Sequence, residues 1–136
     1  MRTALAFIAA LAFAACQRVE APTPADAPDT KPRVPAHAGS AFMAIGQEPG
    51  WRVEVRPGPP PRLTGSLDYG NRQVEVANAA VTADGWSGRT ADGTPVALRF
   101  LRKPCEDAMS GEAFEAEATL TVAGEAWHGC GRFGLR

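Results

Sequence analysis

The segment FEAEATLTVAGEAWHGCGR, residues 114–132, carries the clearest indication of the fold of this chain. At every second position from Phe114 to Val122 stands an apolar residue, and glutamate or threonine fills the positions between. That period of two is typical of a strand with one buried face. The alanines and glutamates also favour a helix, but the run TLTV and the tight turn at Ala123-Gly124 indicate a strand. Residues 125–132 then return as the second strand of a hairpin.

Other short segments of the chain show the same strand signals. Trp51–Arg56 alternates strictly, with Trp51, Val53 and Val55 on one face. We expect further strands at 41–46, 62–69, 72–77, 85–90 and 94–101. The last two flank the loop ADG, in which Gly93 is available for positive φ. About eight short antiparallel strands predict an all-β domain, either a small barrel or a twisted sandwich, with one disulfide.

Turn residues separate these strands, in keeping with the 14 glycines and 12 prolines of the chain. The segment GQEPGW, residues 46–51, predicts a tight turn with Pro49-Gly50 at its centre and Gly50 at positive φ. Trp51, Trp86 and Trp127 are interpreted as aromatics of the core or its rim.

The first residues, MRTALAFIAALAFAAC, have the features of an export signal. Arg2 gives the segment a positively charged n-region, and the apolar run that follows is too short to span a bilayer. The residues before Cys16 resemble a bacterial lipobox, which implies cleavage after residue 15 and lipid, including palmitate, on Cys16. Absence of Asp after Cys16 resembles the outer-membrane sorting pattern. Residues 16–39 are proline-rich and poor in large apolar side chains, which predicts an extended tether before a domain at 40–136.

Cysteine number and net charge narrow the class of protein further. If Cys16 carries lipid, Cys105 and Cys130 remain as an even pair, and an oxidising periplasm favours a disulfide between them. The formal net charge is −1, so the chain lacks the basic footprint of a nucleic-acid partner. We expect a monomer that faces the periplasm from the outer membrane, attached through its lipid.

The segment CEDAMSGEAF, residues 105–114, raises several chemical alternatives. Cys105, His128 and Cys130 are an alternative set of metal ligands or redox groups; the sequence shows no clear fourth ligand, and Asp107 is the candidate for it. Cys105 with His128 is an alternative nucleophile and base, but a disulfide removes the thiolate. Ser110 lacks the GxSxG elbow of a hydrolase. A glycosidase needs two carboxylates on rigid elements around a cleft, for which Glu48, Asp68, Glu106 and Asp107 are the candidates.

We interpret the segment instead as a turn that a disulfide pins and that begins a strand at Phe114. In this interpretation Asp107 accepts hydrogen bonds from nearby backbone N–H groups. The candidate partner-binding loop then consists of Asp107, Met109, Ser110, Gly111 and Phe114. No catalytic residue, metal or cofactor is assigned, and we expect that the protein is not an enzyme.

Four motifs together resemble a known group of proteins. GQEPGW, DYG at 68–70, CEDAMSGEAF and HGCGR at 128–132 resemble a family of uncharacterised bacterial envelope lipoproteins. Its members often have G-x-E-P-(F/G)-W early and close with C-x-D-x-M-S-G and G-C. The resemblance covers about residues 42–132 and implies an envelope location without naming a function.

A weaker similarity links the chain to the membrane-bound lysozyme inhibitors of c-type lysozyme. That family implies an antiparallel barrel with a disulfide, and a loop S-G-x-(R/K)-Y that enters the lysozyme active site. Residues 110–114 match its serine, glycine and aromatic positions, but Ala113 stands where the family has a basic residue. Arg132 is the candidate for the second basic residue of that family.

These observations lead to one principal functional hypothesis and one alternative. The principal hypothesis is a lipid-anchored, periplasmic, non-enzymatic binding module, for an envelope protein or glycan, which includes inhibition of a lysozyme-like muramidase. The alternative is a metal-binding or redox lipoprotein that uses Cys105, His128 and Cys130.

Overall fold

A computed structural model describes residues 40–134 of the chain. The signal peptide predicted at 1–15, the lipidated Cys16 and the tether at 16–39 lie outside the described residues and stay predictions. The predicted β domain at 40–136 is described except for its last two residues.

The described domain is built of eleven strands and one 3₁₀ turn, Asp68–Gly70. The strands are β1 Phe42–Gly46, β2 Trp51–Arg56, β3 Arg62–Leu67, β4 Arg72–Val76, β5 Ala80–Thr82, β6 Gly85–Arg89, β7 Pro95–Leu101, β8 Cys105–Glu106, β9 Ala113–Phe114, β10 Ala116–Val122 and β11 Glu125–Phe133. All of the strand pairings are antiparallel. The predicted all-β antiparallel fold is therefore confirmed.

Nine strands form one curled sheet in the order β4-β3-β2-β1-β11-β10-β7-β6-β5. The curl brings the two ends of the sheet near each other, because a Cβ added at Gly88 of β6 would lie 2.4 Å from Cγ1 of Val76 in β4. The two edge strands, β4 and β5, do not pair with each other. The sheet is consequently a half-barrel with an open seam.

The main core fills the concave side of this half-barrel. Burial alternates along the whole of β10, which matches the pattern that the sequence predicted for it. At one part of the core four aromatic rings, those of Phe42, Trp86, Phe100 and Phe133, pack with centroids 5.1–5.8 Å apart. Trp51 and Trp127 are also buried in this core, and Trp86 packs against it partly buried.

A second, smaller core lies on the other side of the sheet. It contains Met43 and Ile45 of β1, Cys130 of β11 and Phe114 of β9, with Cys105 packed against it. The short β8–β9 pair, which forms a separate two-stranded sheet, covers this side of the main sheet. Every residue of β1 is buried as a result, because this strand has a core on both faces.

The position of Phe114 differs from the sequence prediction. The alternation predicted Phe114 on the same face as Ala116, but Phe114 belongs to the second core and Ala116 to the main core. The cause is a bulge: the N–H of Glu115 bonds to the carbonyl of Gly131, which also pairs with Ala116. One extra residue in a strand shifts the side chains before it to the opposite face.

The predicted turns have mixed outcomes. Gly93 has φ 87°, and Ala123 and Gly124 have φ 52° and 86°, so both hairpin predictions are confirmed. The prediction for the turn at 46–51 is wrong in detail, since its positive φ, 57°, belongs to Glu48 and not to Gly50. The Glu48–Pro49 peptide bond is cis, which is a different turn from the type II form expected.

Candidate functional site

The disulfide between Cys105 and Cys130 is present, with Cα atoms 5.6 Å apart. It joins β8 to β11 and holds the covering segment on the outer face of the sheet. Because both sulfurs are in this bond, neither is a thiolate ligand or nucleophile in the oxidised domain. His128, the third member of that set, is exposed, and its Nδ1 lies 3.2 Å from Oγ1 of Thr119. Across residues 40–134 no group of three His, Cys, Asp or Glu side chains is placed to hold a metal.

The predicted loop is a tight turn organised by the Asp107 carboxylate. Its Oδ1 accepts hydrogen bonds from the N–H groups of Met109 (3.2 Å) and Ser110 (2.8 Å) and from the Ser110 hydroxyl (2.9 Å). Two backbone bonds close the turn, from Gly111 N–H to Asp107 O and from Asp107 N–H to Glu112 O. The predicted role of Asp107 as the residue that forms the turn is confirmed.

The same carboxylate also reaches the β1–β2 turn. Its Oδ2 lies 3.4 Å from Nε2 of Gln47, which donates to it. Burial alone raises the pKa of Asp107, but the bonds from Ser110, Gln47 and Met109 together lower the pKa below its ordinary value. The ionised carboxylate is therefore the form that holds the turn.

We expect Asp107→Asn to destabilise the domain by about 1–3 kcal/mol at pH 7, because three part-buried hydrogen bonds from Met109 and Ser110 lose a charged acceptor. Because folding lowers the pKa of Asp107, its ionised carboxylate stabilises the folded domain at pH values above the unfolded-state pKa, about 3.9. This stabilisation is lost as the pH falls through the lower pKa of the folded state. The gap between wild type and variant, measured by urea unfolding, should narrow below about pH 4. Asp84→Asn, at an exposed carboxylate, is the control and should cost less than about 0.5 kcal/mol. A gap that stays constant down to pH 3 would contradict this role.

The five predicted site residues divide into two groups. Met109 and Ser110 are exposed and Gly111 is half-buried, so these three form the outer surface of the turn. Asp107 and Phe114 are buried beneath it. The hydroxyl of Ser110 is engaged twice, since it also accepts the N–H of Glu112 at 3.2 Å. It is therefore part of the scaffold of the turn.

Sequence reasoning missed the buried ion pair under this turn. Arg132 Nη2 lies 2.6 Å from Glu112 Oε1, and the two side chains are 5% and 3% exposed. The Arg132 guanidinium also lies 4.4 Å from the centre of the Phe114 ring. The assignment of Arg132 as a basic residue offered to a lysozyme is therefore wrong, because the side chain is enclosed within the second core.

The acids considered for a glycosidase pair have separate surroundings. Asp107 serves its own turn, and Asp68 lies 3.7 Å from Arg72. Glu48 is exposed in the β1–β2 turn, and Glu106 is exposed on strand β8.

A cavity with a volume of about 860 Å³ lies at the open seam. Edge strand β4 and the loop between β6 and β7 form its walls, and Val122 is part of its lining. Several charged groups around it already have internal partners: Glu75 binds Arg62 at 2.5 Å, and Arg89 donates to the Gly93 carbonyl at 2.7 Å. Hydrogen bonds from Thr90 lower the pKa of Asp92, which lies in the same wall. No sequence motif predicted the cavity at this seam, because the cavity depends on how strongly the sheet curls.

Comparison with known proteins finds no match to this chain among protein-family models, curated proteins or solved structures. Residues 40–134 contain no helix that is long and apolar enough to cross a membrane.

Proposed function

We propose that this protein is a non-enzymatic binding module of the bacterial envelope, held by lipid on Cys16 through the tether at 16–39. Three features of the sequence support this lipid anchor: the export signal, the lipobox-like residues and the proline-rich segment. Its proposed location is the outer membrane, facing the periplasm.

The observation that carries the binding proposal is the side chain of Met109. It is 71% exposed at the outer surface of a turn that the Asp107 carboxylate and the Cys105–Cys130 disulfide hold in place. A loop that is already ordered loses little conformational entropy on binding, and methionine adapts to irregular partner surfaces. We propose residues 107–114 as the recognition loop, with Met109 as its apolar contact.

Site-specific photo-crosslinking in cells tests this proposal. A photoreactive amino acid at Met109 should give one discrete protein adduct, because a specific partner covers that side chain. The matched control is Val81, which is 69% exposed on edge strand β5 and lies outside the recognition loop. Equal adducts from both positions, or no adduct from Met109, would reject the recognition loop.

Inhibition of a lysozyme-like muramidase is one form of this proposal. The Ser-Gly and aromatic spacing of residues 110–114 supports it, whereas the buried Arg132 and the engaged Ser110 hydroxyl do not. Adding the purified chain to turbidity assays of c-, g- and i-type lysozymes is a direct measurement. Full activity of all three enzymes would exclude a muramidase partner. The adduct from the crosslinking experiment would then identify the partner.

A further inference from the structure

The outer edge of strand β4 borders the cavity at the open seam instead of another strand. β4 pairs with β3 along its whole length, and no strand pairs with its other edge. Among residues 40–134, none of the backbone hydrogen bonds that turns and loops make involves Arg72–Val76. The outward N–H and C=O groups of this edge are therefore available to a further strand.

The opposite side of the seam also ends in residues that have a strand partner on one side only. β5 pairs with β6 from Gly85 to Ser87, so Gly88 and Arg89 of β6 pair with β7 alone. The two sides of the seam approach each other at Gly88, where an added Cβ would lie 2.4 Å from Cγ1 of Val76. The cavity of about 860 Å³ lies between β4 and the β6–β7 loop. A segment added to the free edge of β4 would therefore lie in this cavity.

Strand β4 has the length and the exposure that such pairing needs. It has five residues and is about 17 Å long, which is typical of a strand in a sheet. Its side chains Arg72, Gln73 and Glu75 are exposed in the cavity wall. The other edge strand, β5, has three residues and does not line the cavity. Of the two edges of the sheet, β4 is therefore the one that can take an added strand.

The formal charges in the cavity wall cancel. The wall contains two arginines, Arg72 and Arg89, and two carboxylates, those of Glu75 and Asp92. Arg72 and Glu75 form ion pairs with other residues of the domain, and Asp92 accepts a hydrogen bond from the N–H of Thr94 at 3.2 Å. A wall without net charge does not favour an ion, a nucleic acid or a strongly charged peptide. The ligand that matches this wall is therefore a segment without net charge.

We propose that the seam binds an extended, uncharged segment of a partner protein, which pairs with β4 as a tenth strand of the main sheet. The edge selects this ligand because it presents N–H donors and C=O acceptors in turn, and an extended polypeptide offers complementary groups at the same spacing. A second copy of the chain fits less well, since its β4 would have to enter the cavity together with the β3 that is paired to it. This site is separate from the recognition loop at 107–114 and does not depend on the lipid anchor.

A selection of random heptapeptides against the full chain, purified in detergent, tests this proposal. The enriched peptide is synthesised with blocked ends, and its affinity is measured by fluorescence anisotropy. We expect saturable binding of a peptide without net charge, with affinities that agree within about twofold at about 50 and about 500 mM salt. Amide hydrogen exchange should slow in β4 and stay unchanged in β5, because β4 gains the hydrogen-bond partners.

Methylation of alternate backbone nitrogens of the peptide separates strand pairing from contacts of the peptide's side chains. A strand that pairs through one edge uses every second N–H group. In one of the two alternate sets, methylation should therefore weaken binding at least about tenfold, because it removes several hydrogen bonds. Unchanged affinity after methylation of either set would overturn the proposal, as would a library that yields no binder.

Variants of exposed alanines in the cavity wall locate the bound peptide. Ala77→Trp or Ala91→Trp should weaken binding at least about tenfold, because the larger side chain occupies the cavity. Ala126→Trp, at an exposed position outside the cavity, is the control and should bind as wild type does. Thermal unfolding of each variant shows whether the fold is kept. Wild-type affinity of both folded seam variants would overturn the proposal, and a dimer of the full chain that these variants dissociate would overturn it in favour of a second copy.

Discussion

Removal of the Cys105–Cys130 disulfide is expected to destabilise the domain by about 3–4 kcal/mol. The two cysteines are 25 residues apart, and opening a loop of that length returns conformational entropy to the unfolded chain. The bond also fixes the β8–β9 segment over Met43 and Ile45 of β1. The double variant Cys105→Ala/Cys130→Ala should therefore unfold with a Tm lower by roughly 15–25 °C, as measured by circular dichroism.

Reduction of the wild-type protein provides the control for this prediction. Dithiothreitol should lower the Tm of the wild type nearly to that of the double variant and leave the variant unchanged. A wild-type Tm that does not respond to the reductant, or a double variant that melts with the wild type, would contradict a stabilising disulfide.

The strands that could be predicted from the sequence are those with a local signal. The boundaries of β2 and the alternation of β10 follow from side chains that face core and solvent in turn. Strand β5 has no such signal, because all three of its residues are exposed on the edge of the sheet. Strands β8 and β9 have two residues each, too few for any period to be visible.

In the candidate site too, the features with local causes were predictable and those with long-range causes were not. The Asp107 turn was predictable, because its hydrogen bonds run to residues within a few positions. The bulge at Glu115 depends on its pairing with Gly131, which is distant in sequence. That bulge places Phe114 in the second core beside Arg132, so no local pattern revealed the buried ion pair.

The second large effect is expected at that ion pair. Arg132→Met keeps an apolar stem of similar length but leaves the Glu112 carboxylate buried without its cation. Removing one partner of a buried ion pair typically costs about 3–5 kcal/mol, because the remaining charge stays desolvated. The carbonyl of Ala113, which accepts from Arg132 Nη2 at 3.3 Å, also loses a donor. We expect Arg132→Met to lower the free energy of unfolding in urea by this amount.

A matched pair on the surface separates the effect of burial from that of charge. Arg62 and Glu75 lie 2.5 Å apart, close to the separation in the buried pair, but their side chains are 54% and 53% exposed. Arg62→Met should therefore cost less than about 1 kcal/mol. The double variant Arg132→Met/Glu112→Leu should recover most of the loss, since it removes both buried charges together. Similar small costs for Arg132→Met and Arg62→Met would contradict a buried pair. A double variant as unstable as Arg132→Met would show instead that packing around Phe114, rather than the buried carboxylate, causes the loss.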